Sequence, residues 1–169
     1  MISEIATGEK HNAAPVARLG PLVGGNAVLH HLGFVVSSIS AAGEEFAASM
    51  SAHWDGKIIY DPIQRVRLSF FDPCDERNPV YELVEPASDT SPVSAFLKKG
   101  GGLHHVCYEI DGLELALAAA NGAGFVVLTA PAPAVAFDGR RIAWMCSRAK
   151  NRLLVELLER DVDGGRQLL

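Results

Sequence analysis

Hydrophobic and polar positions alternate from Val28 to Val36, which is the period of a β-strand with two different faces. The stretch from Ala41 to Met50 instead has apolar positions at helical spacing, and serines within 37–40 are candidate N-cap residues. Short apolar runs that end at turns or prolines then predict three more strands. The pattern of this first half is therefore βαβββ, with the later strands at 57–60, 65–71 and 80–85.

The second half repeats this order after a linker. Ser91-Pro92 begins a short predicted helix, because proline is favoured in the first helical turn, and the glycines at 100–102 end it. The pattern then predicts a helix at 113–120 and a loop at 129–137. The predicted strands of this half are 104–110, 125–128, 141–146 and 153–158. Two tandem βαβββ modules indicate an α+β fold.

A polar passage occurs in both modules. The His-His pair at 30–31 returns at 104–105, an offset of 74 positions (105 − 31). Glu82, in the last predicted strand of the first module, returns as Glu156 at the same offset (156 − 82). Because a fixed spacing is the sequence signature of duplicated structure, we interpret the modules as two copies of one unit.

Strand alternation separates the two histidines of each pair, since successive side chains point to opposite faces. His31 and His105 fall on the face expected to be concave. His30 and His104 fall on the outer, apolar face, and we interpret them as structural residues that at most support the inner pair.

The two repeated glutamates lie on strands whose neighbouring positions are apolar. A carboxylate in such surroundings is costly unless it is paired or bound to a metal. Two imidazoles and two carboxylates on one face are suitable ligands for a divalent cation, with room left for water or substrate. The predicted ligands of one ion, for which Zn, Co, Ni, Mn and Mg all stay open, are His31, Glu82, His105 and Glu156.

Composition limits the class of protein. Hydrophobic residues make up 49% of the 169 residues, which is enough for one compact unit. A net charge of −5 argues against a nucleic-acid-binding surface. No apolar run reaches the length of a membrane span, and residues 1–15 lack a signal core. Cys74, Cys107 and Cys146 show no CxxC spacing, so we expect free thiols and a cytoplasmic location.

The predicted domain lies at 28–160, with module one at 28–86, a linker helix region at 87–102 and module two at 103–160. Residues 1–27 form an extension without periodicity, interpreted as a tail or as an arm that packs on a neighbouring subunit. Residues 161–169 form a polar tail. Open sheet edges favour pairing with another chain, so we expect a homodimer.

Several further residues are candidates for contact with a small-molecule substrate. Arg141, at the start of a strand, could bind an anion, and Gln64 could donate to a substrate oxygen. Phe70 and Trp144 could exclude water from the site. Glu85 and Glu159, which end their strands, are expected to be solvated.

With these residues in place, the chain resembles the vicinal oxygen chelate superfamily, which includes glyoxalases, bleomycin resistance proteins and dioxygenases. Within that superfamily several passages look like methylmalonyl-CoA epimerases. They cover roughly residues 28–160, and the clearest of them are Asp61–Val66, Glu82–Pro86, Ser91-Pro92, Gly102–His105 and Val155–Leu157.

The resemblance implies a cup-shaped, mostly antiparallel half-barrel from each module, with the metal between them. It implies an epimerase that removes a proton next to the carbonyl of an acyl-CoA thioester, with Glu156 and Glu82 as candidate catalytic carboxylates. Some epimerases carry a carboxylate on the third strand as a proposed base. Leu68 stands at that position here, so the resemblance does not identify the base.

Other functions use related sites. A glyoxalase-like lyase acting on hemithioacetals needs the same proton abstraction, and a drug-binding protein would use the cup without turnover. An iron oxygenase would need an open triad of two histidines and one carboxylate, which a fourth protein ligand disfavours. An inert scaffold that keeps a residual metal site is a further alternative.

Overall fold

The computed structural model describes residues 18–150 and 152–161. The first half contains α1 (Gly20–Val23), β1 (Val28–Val35), α2 (Ile39–Met50), β2 (Ala52–His53), β3 (Ile59–Asp61), β4 (Val66–Pro73) and β5 (Val80–Pro86). A short helix, α3 (Ser94–Leu97), follows in the linker. The second half contains β6 (Gly102–Ile110), α4 (Leu113–Ala119), β7 (Phe125–Val127), β8 (Ala132–Pro133), a 3-10 turn (Val135–Phe137), β9 (Arg141–Ser147) and β10 (Leu154–Glu159).

All ten strands belong to one open sheet in the order β2-β4-β5-β1-β6-β10-β9-β7, with β3 added to β4 and β8 added to β9. Within each module the first strand pairs in parallel with the last, β1 with β5 and β6 with β10. The modules join through the antiparallel pair of β1 and β6. The predicted α+β class with two tandem modules is confirmed, and the strands of both modules form one continuous sheet.

Two short strands extend the predicted pattern. β2 pairs with the end of β4, and β8 lies inside the predicted loop at 129–137, where it pairs with the start of β9. Each has only two residues, which is too short for a hydrophobic period to reveal. They form because neighbouring strands offer free backbone groups.

The outer face of each module packs against its helix. In the first module Leu32 and Phe34 pack on α2, where Ser38 is the N-cap and its Oγ accepts from the backbone N–H of Ala41. In the second module the helix buries Leu113 and Ala116. A third apolar cluster lies between the modules and surrounds the site described below.

Part of the predicted extension packs on the domain itself. Leu22 and Val23 of α1 are buried in the cluster that contains Leu113 of α4, and the N–H of Arg18 donates to the carbonyl of Ala123 at 3.0 Å. Residues 1–17 and the tail from 162 onward lie outside the described residues. None of the described helices has the length and apolar character needed to cross a bilayer.

Candidate metal centre

The four central strands of the sheet, β5, β1, β6 and β10, each carry one residue of the predicted ligand set. Glu82 on β5 pairs with Gly33 on β1, and Gly33 pairs in turn with His105 on β6. A β-carbon on Gly33 would lie 2.0 Å from Cε1 of His105. The imidazole therefore occupies the space that a side chain on Gly33 would fill, and this brings it towards Glu82.

A second row of residues crosses β1, β6 and β10. His31 pairs with Cys107, and Cys107 pairs with Glu156. Cys107 is the repeat equivalent of Gly33 (107 − 33 = 74). Each row thus consists of a histidine and a glutamate with a small residue between them, and the two rows direct their polar ends to one point.

The ligand atoms converge closely. The Nε2 atoms of His31 and His105 lie 3.1 Å apart. Nε2 of His31 is 3.5 Å from Oε2 of Glu82 and 3.2 Å from Oε2 of Glu156, and Nε2 of His105 is 3.3 Å and 3.6 Å from the same two oxygens. Ligands that bind one ion at about 2.0–2.2 Å stand roughly 2.8–3.6 Å from their neighbours in octahedral or tetrahedral geometry. The spacing therefore fits a shared cation.

The two buried carboxylates of the site, Glu82 and Glu156, also need a positive charge beside them. The exposed fraction is 0% for His31, 5% for Glu82 and 3% for both His105 and Glu156. Burial raises the pKa of Glu82, but His31 and His105 outweigh burial and hold that pKa well below its ordinary value. Burial opposes the charge on His31, yet Cys107 and the carboxylates of Glu82 and Glu156 raise its pKa well above the ordinary value. A proton on His31 or a divalent ion can balance these carboxylates, and the nitrogen and oxygen donors suit the ion.

β-bulges change the orientation of the remaining two histidines. The pairing of β1 with β6 shifts by one residue at His30 and again at His104, and a bulge re-aims the side chain at the extra position. His30 therefore contacts the ring of Phe137, at 5.5 Å between centroids, and His104 lines the cavity beside the site. Their predicted place on the outer face is wrong, because strand alternation does not continue through a bulge.

Both bulged histidines are partly buried, and the loss of solvent around them lowers the pKa of each ring to about 4. For His30 the cause is burial first and then the charge of His31. For His104 it is burial and then His105. At neutral pH both rings are therefore uncharged.

A cavity of about 380 Å³ opens next to the four converging side chains. Glu82, His105 and Glu156 contribute to its wall, and most of the remaining wall is apolar. The apolar part includes Val66, Leu68, Val84, Val93, Phe137 and Ile142. A small molecule bound here would place a polar group against the carboxylates and imidazoles and the rest of its surface against hydrocarbon.

Comparison with known sequences assigns the fold to a family. The family described as the Glyoxalase/Bleomycin resistance protein/Dioxygenase superfamily matches residues 30–144. The chain belongs to this superfamily. The match covers all of β6 and parts of β1 and β9, and it includes both histidine pairs of the candidate site.

Comparison with individual proteins is more detailed. The ethylmalonyl-CoA/methylmalonyl-CoA epimerase of Cereibacter sphaeroides is 29% identical over 131 residues, which cover 76% of this chain and 95% of that protein. Among solved structures, a hypothetical protein of Bacillus halodurans has a TM-score of 0.69 at 26% identity and covers 80% of this chain and 96% of its own. The methylmalonyl-CoA epimerase of Mycobacterium tuberculosis has a TM-score of 0.67 at 20% identity, and the alignment covers 80% of this chain and 89% of that protein.

Two of the four predicted substrate contacts of this superfamily member lie in the cavity wall. Trp144 and Gln64 both line it. The Trp144 ring stands edge-on to His105 at 4.8 Å between centroids. The Gln64 amide donates to Oδ2 of Asp61 at 3.4 Å. Phe70 instead packs edge-on against His31, at 5.8 Å, and is not among the lining residues.

Arg141 does not reach the cavity. Its guanidinium forms ion pairs with Glu114 and Glu159, which neutralise the charge that would have attracted an anion. Glu159 and its repeat equivalent Glu85 are also not simply solvated, because Glu85 binds Arg67 at 3.0 Å across the β4–β5 pair and accepts from the N–H of Ile39 at 2.9 Å. In both cases the arginine and the glutamate lie on neighbouring antiparallel strands, β4 and β5 for Arg67 and Glu85, and β9 and β10 for Arg141 and Glu159.

Phe137 was not predicted. It lies in the 3-10 turn, stacks on His31 at 5.9 Å between centroids and contacts Phe70 at 5.6 Å. Phe137 stands alone in a loop with two prolines and belongs to no hydrophobic pattern. Its contact with His31 is therefore visible only in the folded structure. Gly33 and Cys107 carried a usable signal, since they are small residues that follow each inner histidine by two positions.

Proposed function

We propose that this protein is a divalent-metal-dependent epimerase that abstracts a proton next to the carbonyl of an acyl-CoA thioester such as methylmalonyl-CoA. The observation that carries the proposal is the convergence of two imidazoles and two carboxylates beside an apolar cavity. The resemblance to the Cereibacter sphaeroides epimerase, along most of both chains, supports the choice of reaction.

His31, Glu82, His105 and Glu156 are the residues that would hold the ion. Bound there, a divalent cation supplies Lewis acidity that favours negative charge on the carbonyl oxygen of the substrate. The donor set of two nitrogens and two carboxylate groups leaves Zn, Co, Ni, Mn and Mg as candidates.

The chain itself would move the proton. An epimerase must remove the proton on one face of the α-carbon and return one on the other. Glu82 and Glu156 are the carboxylates that line the cavity, and both are buried. Leu68, at the position where some related epimerases carry a carboxylate, forms part of the apolar wall and is 2% exposed. We therefore propose that Glu156 and Glu82 are the two carboxylates that remove and return the proton.

The apolar wall would assist this chemistry by excluding water. Electrostatic interactions are stronger in a medium of low dielectric constant, so polar groups aimed at the reacting oxygen act with greater effect there. Trp144, Phe137 and Ile142 enclose the polar groups from the side of β9 and the 3-10 turn.

The test is solvent deuterium incorporation into methylmalonyl-CoA, followed by NMR with each candidate metal added. The wild type should exchange the α-proton, and Glu156→Gln should lower the rate by about 10²–10³-fold, the usual loss for one electrostatic element of a transition state. Glu76→Gln, an exposed site in the β4–β5 turn, is the control that removes one charge elsewhere. Conversion of a hemithioacetal without exchange of the thioester would contradict the proposal and favour a lyase.

A further inference from the structure

Each inner histidine is hydrogen-bonded to the histidine that precedes it. Nδ1 of His31 lies 2.9 Å from Nδ1 of His30. Nδ1 of His105 lies 3.1 Å from Nδ1 of His104. In both cases the other nitrogen of the inner ring, Nε2, is the atom directed at the carboxylates.

The arrangement depends on the bulges. Without them His30 and His104 would point to the opposite face of the sheet from their neighbours. The bulges occur at repeat-equivalent positions, although one lies in β1 and the other in β6. Two independent strands thus place an imidazole against the inner histidine in the same way.

Aromatic rings hold both bulged histidines in this position. The His30 ring stands edge-on to Phe137 at 5.5 Å. The His104 ring stands edge-on to Phe96 at 4.8 Å and is tilted against Trp144 at 6.4 Å. The supporting rings come from α3, β9 and the 3-10 turn, which differ between the modules, so the shared feature is the contact between the Nδ1 atoms.

We infer that His30 and His104 are positioning residues for the metal ligands: each accepts, at Nδ1, the Nδ1–H of the inner histidine and so keeps Nε2 free to bind the ion. The inference rests on the proposed metal site. A histidine that binds a metal through one nitrogen generally donates from the other, and loss of that partner typically costs 10- to 100-fold in metal affinity or activity. In this chain the partner is a neighbouring imidazole in both modules.

The test uses paired substitutions and measures Co²⁺ affinity by titration of the visible absorption spectrum. His30→Phe keeps an aromatic ring against Phe137 but removes the acceptor. His30→Asn loses the ring but keeps an acceptor, because the Asn oxygen stands near the position of Nδ1. We expect His30→Phe to bind Co²⁺ roughly 10- to 100-fold more weakly than wild type, and His30→Asn to retain most of the affinity.

The corresponding variants His104→Phe and His104→Asn repeat the test independently in the second module. The unfolding midpoint of each variant without added metal checks that the fold is intact, and it should not follow the order of Co²⁺ affinities. Unchanged affinity in the two Phe variants, or equal losses in the Phe and Asn variants, would overturn the inference while leaving the metal site in place. Absence of Co²⁺ binding by the wild type would instead overturn the proposed metal site, and the inference with it.

Discussion

Gly33 and Cys107 show how the size of a single side chain determines the geometry of the site. Each stands between a histidine and a glutamate on neighbouring strands. At Gly33 the space above the backbone is taken by His105, whose Cε1, Nε2 and Nδ1 atoms would all lie within 2.5 Å of an added β-carbon. Glycine is required at position 33 for a steric reason, because any side chain there would collide with the ring of His105.

Gly33→Ala is therefore expected to displace His105 and to weaken metal binding, with an overpacking cost of about 1–3 kcal/mol in the free energy of unfolding. Denaturant unfolding and metal titration would measure the two effects. Gly25→Ala is the matched control, because a β-carbon at Gly25 would meet no atom within 4 Å. A Gly33→Ala protein that binds metal with wild-type affinity would contradict this account of the site.

At the scale of elements, α2 contains a glycine that helix propensity alone does not explain. Gly43 is buried in the middle of Ile39–Met50. A β-carbon there would lie 2.4 Å from Cζ3 of Trp54. Trp54 stacks on Phe71 at 5.3 Å between centroids, and its Nε1–H donates to Oγ of Ser69 at 2.7 Å. The indole therefore connects the helix to β4, and glycine leaves room for it.

This contact reverses an expectation from propensity. Replacing a helical glycine by alanine ordinarily stabilises a helix by about 1 kcal/mol, but here Gly43→Ala should destabilise the fold because Trp54 must shift. Chemical denaturation would show whether Gly43→Ala raises or lowers the free energy of unfolding. Ala48→Gly, at an exposed position of the same helix, is the control. It should lower the free energy of unfolding by about 1 kcal/mol, the ordinary difference between alanine and glycine in a helix. A Gly43→Ala variant more stable than wild type would show that Trp54 moves freely.

At the scale of the whole molecule, the candidate metal centre joins the two modules. His31 and Glu82 belong to the first module, and His105 and Glu156 belong to the second. An ion bound by all four would connect β5, β1, β6 and β10, the contiguous centre of the sheet. It would also balance two buried carboxylates, which are costly without a counter-charge.

Metal should therefore stabilise the entire fold. Binding only to the folded state adds about 2.7 kcal/mol to the free energy of unfolding when free metal is 100 times its Kd. Thermal unfolding with and without metal would measure the change, and a chelator should reverse it. His105→Ala should show no such increase. Equal responses of the wild type and this variant would place the binding elsewhere on the chain.

The homodimer expected from the sequence stays a prediction. β2 and β7 lie at the two ends of the sheet order, and on β7 Val126 and Val127 are 41% and 40% exposed. An edge strand with apolar side chains favours pairing. Light scattering over a wide concentration range should give twice the mass of one chain. A mass equal to one chain at all concentrations would show that the edges need no partner.

The sequence by itself determined the two modules, their strand and helix order and the four residues that converge at the centre. These features depend on hydrophobic period and on a 74-residue repeat, both of which are properties of the linear chain. The inward faces of His31 and His105 followed from alternation, because each strand continues regularly after its bulge, from His31 to Val35 and from His105 to Ile110.

Tertiary structure decided the features that depend on pairing between distant segments. The bulges at His30 and His104 arise from the register of β1 against β6, and no period within either strand encodes the register between them. Arg141 binds Glu159 because β9 and β10 are neighbours, and Phe137 reaches His31 because a loop folds over the sheet. Each outcome is set by contacts between residues far apart in sequence, where the relative position of the segments, rather than the residue type, determines what a side chain touches.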